Sequence, residues 1–467
     1  MWDESRLAVN ALEMTLNGNW IVTYFDGQPD LWNTKPPLLI WLIALCMKLF
    51  GYNEFSLRLP SALAAISTTL IVVFFCKNYF HDLKMGLISG LVLITSTGFI
   101  GEHVARTADY DAMLVLWMTV YSLSYFAYLH SKTPRKNFYL AITTVALVLA
   151  VMTKSIAGLL ALPALIIYTA YQKKLKEILI SPQSYYSAIF FIALILGYYF
   201  LREHYSPGYL KSVINNEITG RYSTNLEGHN APFTYYMNEL KYKFVPWIYL
   251  FPIGCVIEYF NKSKKIKSFS IFGLLYFTCY WLIISSAKTK LPWYDAPLYP
   301  IASLVIGIGL SQILNSLLNY YQIKDLFKRQ LMAGLIIASI FFIPYIDTVY
   351  YRIYKNKGII YDWSHPSNPQ LMYGEYFEKM SIFIPKVTRF SVVDNTEYNA
   401  HLMFYIKVAN LGDYSIKSTS FEKSLTKNEV VVTCDSEAKA DLEEHYELET
   451  LHTNHPCHTF AIKIVKP

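Results

Sequence analysis

The sequence predicts a polytopic α-helical membrane protein that carries a small C-terminal α/β domain. Three observations predict it. Of 467 residues, 54% are hydrophobic and only 16% are charged, a balance too apolar for an ordinary soluble chain. About ten apolar runs follow residue 57, each near the roughly 20 residues that cross a bilayer. After residue 350 the pattern changes to short alternating runs, the period of half-buried strands.

Three regions follow from this: 1–56, 57–350 and 351–467. In the first, Leu7, Ala8, Ala11, Leu12 and Met14 to Leu16 recur near helical spacing, with Asp3 placed to cap the start and Gly18 to end the helix. That helix is too short and too polar to span and reads as interfacial. Pro36 and Pro37 start a second short apolar helix that runs to Leu49, with Trp32 and Trp41 suited to the headgroup level and Gly51 as its stop. The runs expected to span are 57–76, 86–102, 112–130, 138–153, 155–171, 185–201, 244–260, 269–286, 294–315 and 331–350. In the tail, Phe390 to Val393, Glu429 to Val432 and Phe460 to Val465 read as strands and Ser436 to His445 as a helix.

The formal charge of +7 does not form a stripe of the kind that binds nucleic acid. The cations gather instead in alternate connections: Lys77 and Lys84; Lys132, Arg135 and Lys136; Lys173, Lys174 and Lys176; Lys262, Lys264, Lys265 and Lys267; Lys324, Lys328 and Arg329. By the positive-inside rule that face is cytoplasmic. The opposite face then receives residues 1–56, the turn 102–111, Lys154, the long loop 202–243, the segment 288–295 and the tail. Since residue 1 falls outside, a membrane span is expected ahead of Met1, in a reading frame that starts upstream. Cys46, Cys76, Cys255 and Cys279 read as small apolar residues. Cys434 and Cys457 can pair if the tail lies outside the cytoplasm, though nothing in the sequence fixes their distance.

On the outer face, Asp3 and Glu4 could take a proton from an acceptor hydroxyl, or Asp3 could serve only as a helix cap. Asp109 and Asp111 stand at the head of the run at 112, where the plainer alternative is a cap or a partner for Arg106. An ionised carboxylate at the start of an apolar helix is expensive without a role. The outer cations are Lys35, Arg58, Arg106, Lys154, Arg221, Lys288 and Lys290, which could bind an anionic lipid phosphate together or snorkel singly to headgroups. Lys35 and Lys290 stand out because the prolines after them restrict the backbone. His103, His204 and His229 show no helical metal-ligand spacing, and no Walker or dinucleotide motif supports a nucleotide-driven pump.

Several of these residues form motifs in one order. They are Asp3-Glu4-Ser5-Arg6-Leu7-Ala8, Glu13-Met14, Gly18-Asn19-Trp20, Lys35-Pro36-Pro37-Leu38 to Trp41, Gly51 and Arg58-Leu59-Pro60. Further on come Asp111, Met152-Thr153-Lys154, Glu217 to Arg221, His229-Asn230-Ala231-Pro232, Tyr235-Tyr236, and Lys290-Leu291-Pro292-Trp293-Tyr294 with Pro297 and Pro300. Over about residues 1–311 the chain resembles the bacterial aminoarabinose lipid A transferases and their protein-mannosyltransferase relatives, polytopic glycosyltransferases of the C superfamily that use polyprenyl-phosphate sugars. The resemblance implies that Asp3 and Asp111 are the two catalytic aspartates and that Lys35, Arg221 and Tyr294 hold the lipid phosphate. Glu4 and Asp109 join the acidic candidates, and Arg58, Lys154 and Lys290 the phosphate-binding ones.

The resemblance also implies inverting transfer in the bacterial inner membrane, with the active site and tail facing the periplasm. The donor would be an undecaprenyl-phosphate sugar and the acceptor lipid A, another envelope glycan or a protein. No cofactor is required. A divalent metal and aminoarabinose itself are both disfavoured by two departures: Thr34 stands where those transferases have a carboxylate, and Ile218 where they have a histidine. A lipid or sugar transporter is the alternative, since it shares the spans and buried charges. A membrane scaffold presenting its tail leaves Asp3, Lys35 and Asp111 unexplained.

Overall fold

The first helix, α1 (Trp2–Asn17), carries Asp3 and Glu4 in its first turn, where carboxylates meet the positive end of the helix dipole. Gly18, at φ 70°, takes the left-handed conformation that ends it, and its N–H donates to the Met14 carbonyl at 3.2 Å. A computed structural model describes residues 2–132, 135–220, 230–322, 325–355, 372–385, 387–395, 398–419 and 425–465. The chain divides into two units. One comprises Met1–Gly18, Tyr24–Gly27 and Lys355–Pro467, the other Asn19–Thr23 and Gln28–Tyr354.

In the second, membrane unit, α2 (Leu38–Phe50) begins directly after Pro37 and stops at Gly51, at φ 86°. Asn53 caps α3 (Glu54–Phe75) and Asp82 caps α4 (Leu83–Ile94), each side chain accepting a backbone N–H from the first turn. Then follow α5 (Tyr110–His130), α6 (Lys136–Lys154), α7 (Leu162–Tyr171), α8 (Pro182–Tyr205), α9 (Tyr209–Val213), α10 (Tyr235–Lys243), α11 (Trp247–Tyr259), α12 (Lys264–Ser286), α13 (Leu298–Tyr320) and α14 (Leu326–Tyr345). The centre of the unit is α5, buried almost all round and packed against α3 and α6. In contrast, α8 leaves Tyr186, Ile189, Phe190, Ile192 and Phe200 exposed, an apolar surface suited to lipid.

Among the described residues, seven helices are long and apolar enough to cross a membrane, and the pair α10–α11, bent by 97°, makes an eighth if it is one span. The ten runs read from the sequence differ at three places. Run 86–102 breaks after Ile94, where α4 ends at Thr95 ahead of the one-turn helix Thr97–Ile100. Run 155–171 opens with a 3-10 turn, Ser155–Leu159, and leaves only ten residues to α7. Run 244–260 starts earlier, at Tyr235, and turns sharply near Pro246.

The other unit is an α/β domain. Its C-terminal part contains α15 (Met372–Phe383), β1 (Arg389–Val393), α16 (Ala400–Ala409), β2 (Ser415–Thr419), β3 (Val430–Thr433), α17 (Ser436–His445), β4 (Tyr446–Asn454) and β5 (Cys457–Val465). The sheet order is β2-β1-β3-β5-β4, with β1 parallel to both β2 and β3 and β5 antiparallel to β3 and β4. Alternation gives the sheet two cores. Phe390, Val392 and Val432 pack with Tyr373, Tyr376 and Leu402 on one face, and Val393, Val431 and Ile462 with Ala438 and Leu442 on the other. Cys434 and Cys457 form a disulfide within the first core. Helix α1 packs on α16, and Lys407 of α16 reaches Glu13 at 3.0 Å.

Candidate functional site

The N-terminus of α5 organises the charged groups of the membrane unit. Asp109 caps it, its Oδ1 accepting the Tyr110 N–H at 2.6 Å, and Asp111 stands in the first turn, where the helix dipole favours both anions. They take different partners. Asp111 is buried and its Oδ2 accepts from Lys154 Nζ at 2.5 Å, at the C-terminus of α6. The same ammonium lies 5.1 Å from the ring centre of Tyr294. Asp109 Oδ2 meets His103 Nδ1 at 2.8 Å, and the His103 ring stacks on Trp293 with centroids 3.6 Å apart. Burial alone would raise the Asp109 carboxyl, but the hydrogen bond from His103 and the charges of Lys154 and His103 hold it below the usual carboxylate range. An imidazole nitrogen and a carboxylate oxygen are donors of the kind that divalent ions take.

Lys35 joins this group through Tyr110. Its ammonium lies 5.3 Å from the Tyr110 ring centre and 3.6 Å from Glu217 Oε1, while Asn33 Nδ2 donates to the Tyr110 hydroxyl at 2.9 Å. Thr34 Oγ1 donates to the same glutamate oxygen at 3.1 Å, and the Tyr209 hydroxyl fixes the Thr34 carbonyl at 2.8 Å. Thr34 is therefore a hydrogen-bond donor to the carboxylate that also meets Lys35.

Tyr294 and Lys290 share the loop between α12 and α13. Lys290 is largely buried, with Nζ on the Ala287 carbonyl at 2.5 Å, and desolvation lowers its amine from the ordinary lysine value. Arg58 is half-buried on α3, one turn before Ser61, whose hydroxyl donates to the Asp109 carbonyl at 3.2 Å. Asp3, exposed, and Glu4, buried, belong to the other unit, and Arg221 lies outside the described residues. Of the ten residues read as candidates, the membrane unit thus links Lys35, Asp109, Asp111, Lys154 and Tyr294 into one network.

Residues 34–199 match the family described as dolichyl-phosphate-mannose-protein mannosyltransferase. An undecaprenyl phosphate-alpha-4-amino-4-deoxy-L-arabinose arabinosyl transferase of Proteus mirabilis is 27% identical over 319 residues, 66% of this chain and 55% of that relative, so the match spans about half of the relative's length. The crystal structure of ArnT from Cupriavidus metallidurans bound to undecaprenyl phosphate superposes with a TM-score of 0.71 at 15% identity, over 98% of this chain and 93% of that one. The chain shares the fold of that structure. An oligosaccharyltransferase of Archaeoglobus fulgidus, solved with Zn and sulfate, shares it more distantly, with a TM-score of 0.52 at 13% identity over 99% of this chain and 69% of that one.

Within this fold, two charged residues of the membrane unit were not singled out from sequence. Arg202 is wholly buried on α8. It donates from Nη1 to the Tyr198 hydroxyl at 3.2 Å and from Nη2 to Thr23 Oγ1 at 2.7 Å and the Asp30 carbonyl at 3.0 Å, and its guanidinium lies 4.3 Å from the Tyr209 ring centre. It thereby fixes the chain that leads to Thr34 and the tyrosine that holds Thr34. A charge inside the apolar run Tyr198-Tyr199-Phe200-Leu201-Arg202 was the available signal. Asp295, the second, is wholly buried directly after Tyr294.

Proposed function

We propose that this protein is a membrane glycosyltransferase that moves a sugar, with inversion, from an undecaprenyl-phosphate carrier to an acceptor on the periplasmic side of the bacterial inner membrane. The observation that carries the reading is the network at the head of α5, where Lys35–Glu217, Asp111–Lys154–Tyr294 and Asp109–His103–Trp293 come together through Tyr110 and the 290–294 loop. Cations assembled in a partly desolvated site stabilise charge growing on a departing phosphate, an effect for which loss of one donor typically costs about 10²–10³ in rate. Lys35, Arg58, Lys154, Arg221, Lys290 and Tyr294 form the phosphate-binding set. The acceptor oxygen attacks the anomeric carbon, the bond to the phosphate oxygen breaks, and undecaprenyl phosphate leaves with the electron pair.

The hydroxyl proton goes to Asp3, with Glu4 beside it in the same helical turn. The ion pair with Lys154 suits Asp111 to orienting the phosphate-binding cation. Asp109 holds His103 and caps α5. The tail domain stands on the acceptor side, as the Cys434–Cys457 disulfide supports, since such bonds persist outside the cytoplasm. Lipid A, another envelope glycan and a protein remain the acceptor classes.

Mass spectrometry of envelope glycans and polyprenyl-phosphate sugars from cells lacking the gene tests this. A lost sugar on one acceptor with a build-up of its lipid-linked donor, corrected by wild type and not by stably expressed Lys35→Met or Asp3→Asn, is the expected result. Unchanged pools on deletion would sink the reading in favour of transport.

A further inference from the structure

The loop between α12 and α13 brings Lys290, Trp293 and Tyr294 to the site, and most of what holds it acts on its backbone. Lys243 Nζ donates to the Pro292 carbonyl at 3.0 Å, the Tyr280 hydroxyl to the Tyr294 carbonyl at 3.2 Å and the Tyr276 hydroxyl to the Pro297 carbonyl at 3.3 Å. Asp295 is held through its side chain. Its side chain is wholly buried, and Oδ2 accepts from the Tyr299 hydroxyl at 3.1 Å. Among the described residues, its Oδ1 is buried without a hydrogen-bond partner. A buried carboxyl with one hydrogen bond is an expensive group. Native structures keep such groups where the position has a use.

We propose that Asp295 is a positioning residue for the polyprenyl-phosphate donor: its buried carboxyl, anchored on Tyr299, sets the loop that presents Lys290 and Tyr294 to the phosphate. The inference rests on the donor class given under Proposed function. Asp295 acts through its neighbour, because Tyr294 carries the ring over which Lys154, the partner of Asp111, is placed. The ionisable groups that face it are Tyr235, Tyr236, Glu239 and Lys243 on α10 and Tyr299 on α13. Burial raises the Asp295 carboxyl to about 7 against the opposing pull of Lys243 and the Tyr299 hydrogen bond. The group therefore changes charge close to neutrality, and the loop's anchoring changes with it.

The test measures the affinity of undecaprenyl phosphate for the full chain in lipid nanodiscs from about pH 6 to about pH 8, with thermal unfolding recorded alongside. Asp295→Leu and Tyr299→Phe are expected to weaken binding about tenfold, and the double variant is expected to be no weaker than the worse single one. Asp295→Asn, which keeps the shape and the acceptor oxygen, is expected to unfold like wild type and to lose the affinity step near pH 7. Titration of the lipid phosphate itself is common to both proteins and cancels in that comparison. Wild-type affinity in Asp295→Leu, or an unaltered pH step in Asp295→Asn, overturns the assignment while leaving the glycosyltransferase reading in place. If the leucine variant does not fold, the asparagine variant decides alone. A wild type that binds no undecaprenyl phosphate at any of these pH values removes the donor class, and the role of Asp295 falls with it.

Discussion

At the scale of single residues, the ion pair of Asp111 with Lys154 is the most consequential contact. Both groups lie out of water, so removing one leaves the other charged and buried, a change that typically costs about 3–5 kcal/mol. Lys154→Met is therefore expected to lower unfolding stability by an amount of that order, and Lys154→Met with Asp111→Leu to recover most of it; denaturant unfolding in detergent checks both. The second pair makes a prediction with a sign. The Asp109 carboxyl lies below its ordinary value, so the stability it contributes is complete above the unfolded carboxylate value of about 4 and is lost as pH falls through the lowered one. His103→Ala removes the donor and charge that oppose burial, so the variant is less stable at neutral pH. The gap between the two melting temperatures is expected to narrow as pH drops below about 4. A gap that stayed constant with pH would show that His103 acts on stability by packing on Trp293 alone.

At the scale of elements, helices approach closely where side chains are smallest. A Cβ on Gly307 of α13 would lie 2.5 Å from the Ser89 Cα of α4, and one on Gly86 would lie 2.4 Å from the Val73 carbonyl oxygen of α3. Gly98 is more telling, because a Cβ there would meet the Tyr299 hydroxyl at 1.9 Å. Gly98→Ala is expected to push Tyr299 from Asp295 and to weaken undecaprenyl phosphate binding about as much as Tyr299→Phe, with a stability cost of roughly 1–3 kcal/mol; measuring both in one series separates this from a purely structural loss. The long apolar helices and the acidic head of α5 were legible from sequence, because hydropathy and charge at a span boundary are local signals. Asp111 with Lys154, and Arg202 with Thr23 and Asp30, were not, since their partners are far apart along the chain and only packing brings them together. Strands β2 and β4 escaped for another reason. They are the edges of the sheet, and Ser415-Ile416-Lys417-Ser418-Thr419 and Tyr446 to Asn454 carry the polar residues that edges use, which mask the alternation.

At the scale of the whole molecule, charge decides what helix length leaves open. The connection bearing Lys77 and Lys84 and the one bearing Lys132, Arg135 and Lys136 flank α4 and α5. Both can lie in the cytoplasm only if α4, although short, crosses with its one-turn continuation; from Leu83 to Ile100 a helical path covers roughly 27 Å, close to the hydrocarbon thickness. The same reasoning applied to the cluster at Lys173, Lys174 and Lys176 makes α7 cross with the 3-10 turn before it. By the same rule the connection with Lys262 and Lys264 is expected in the cytoplasm, and the chain after Phe327–Tyr350 on the opposite side of the membrane. The disulfide between Cys434 and Cys457 supports that side. In spheroplasts, a membrane-impermeant maleimide is therefore expected to label Leu451→Cys without lysis and Lys262→Cys only after it, both positions being exposed. Labelling in the reverse order would put the disulfide in a reducing compartment and the proposed site on the cytoplasmic side, where an acceptor in the periplasm could not be reached.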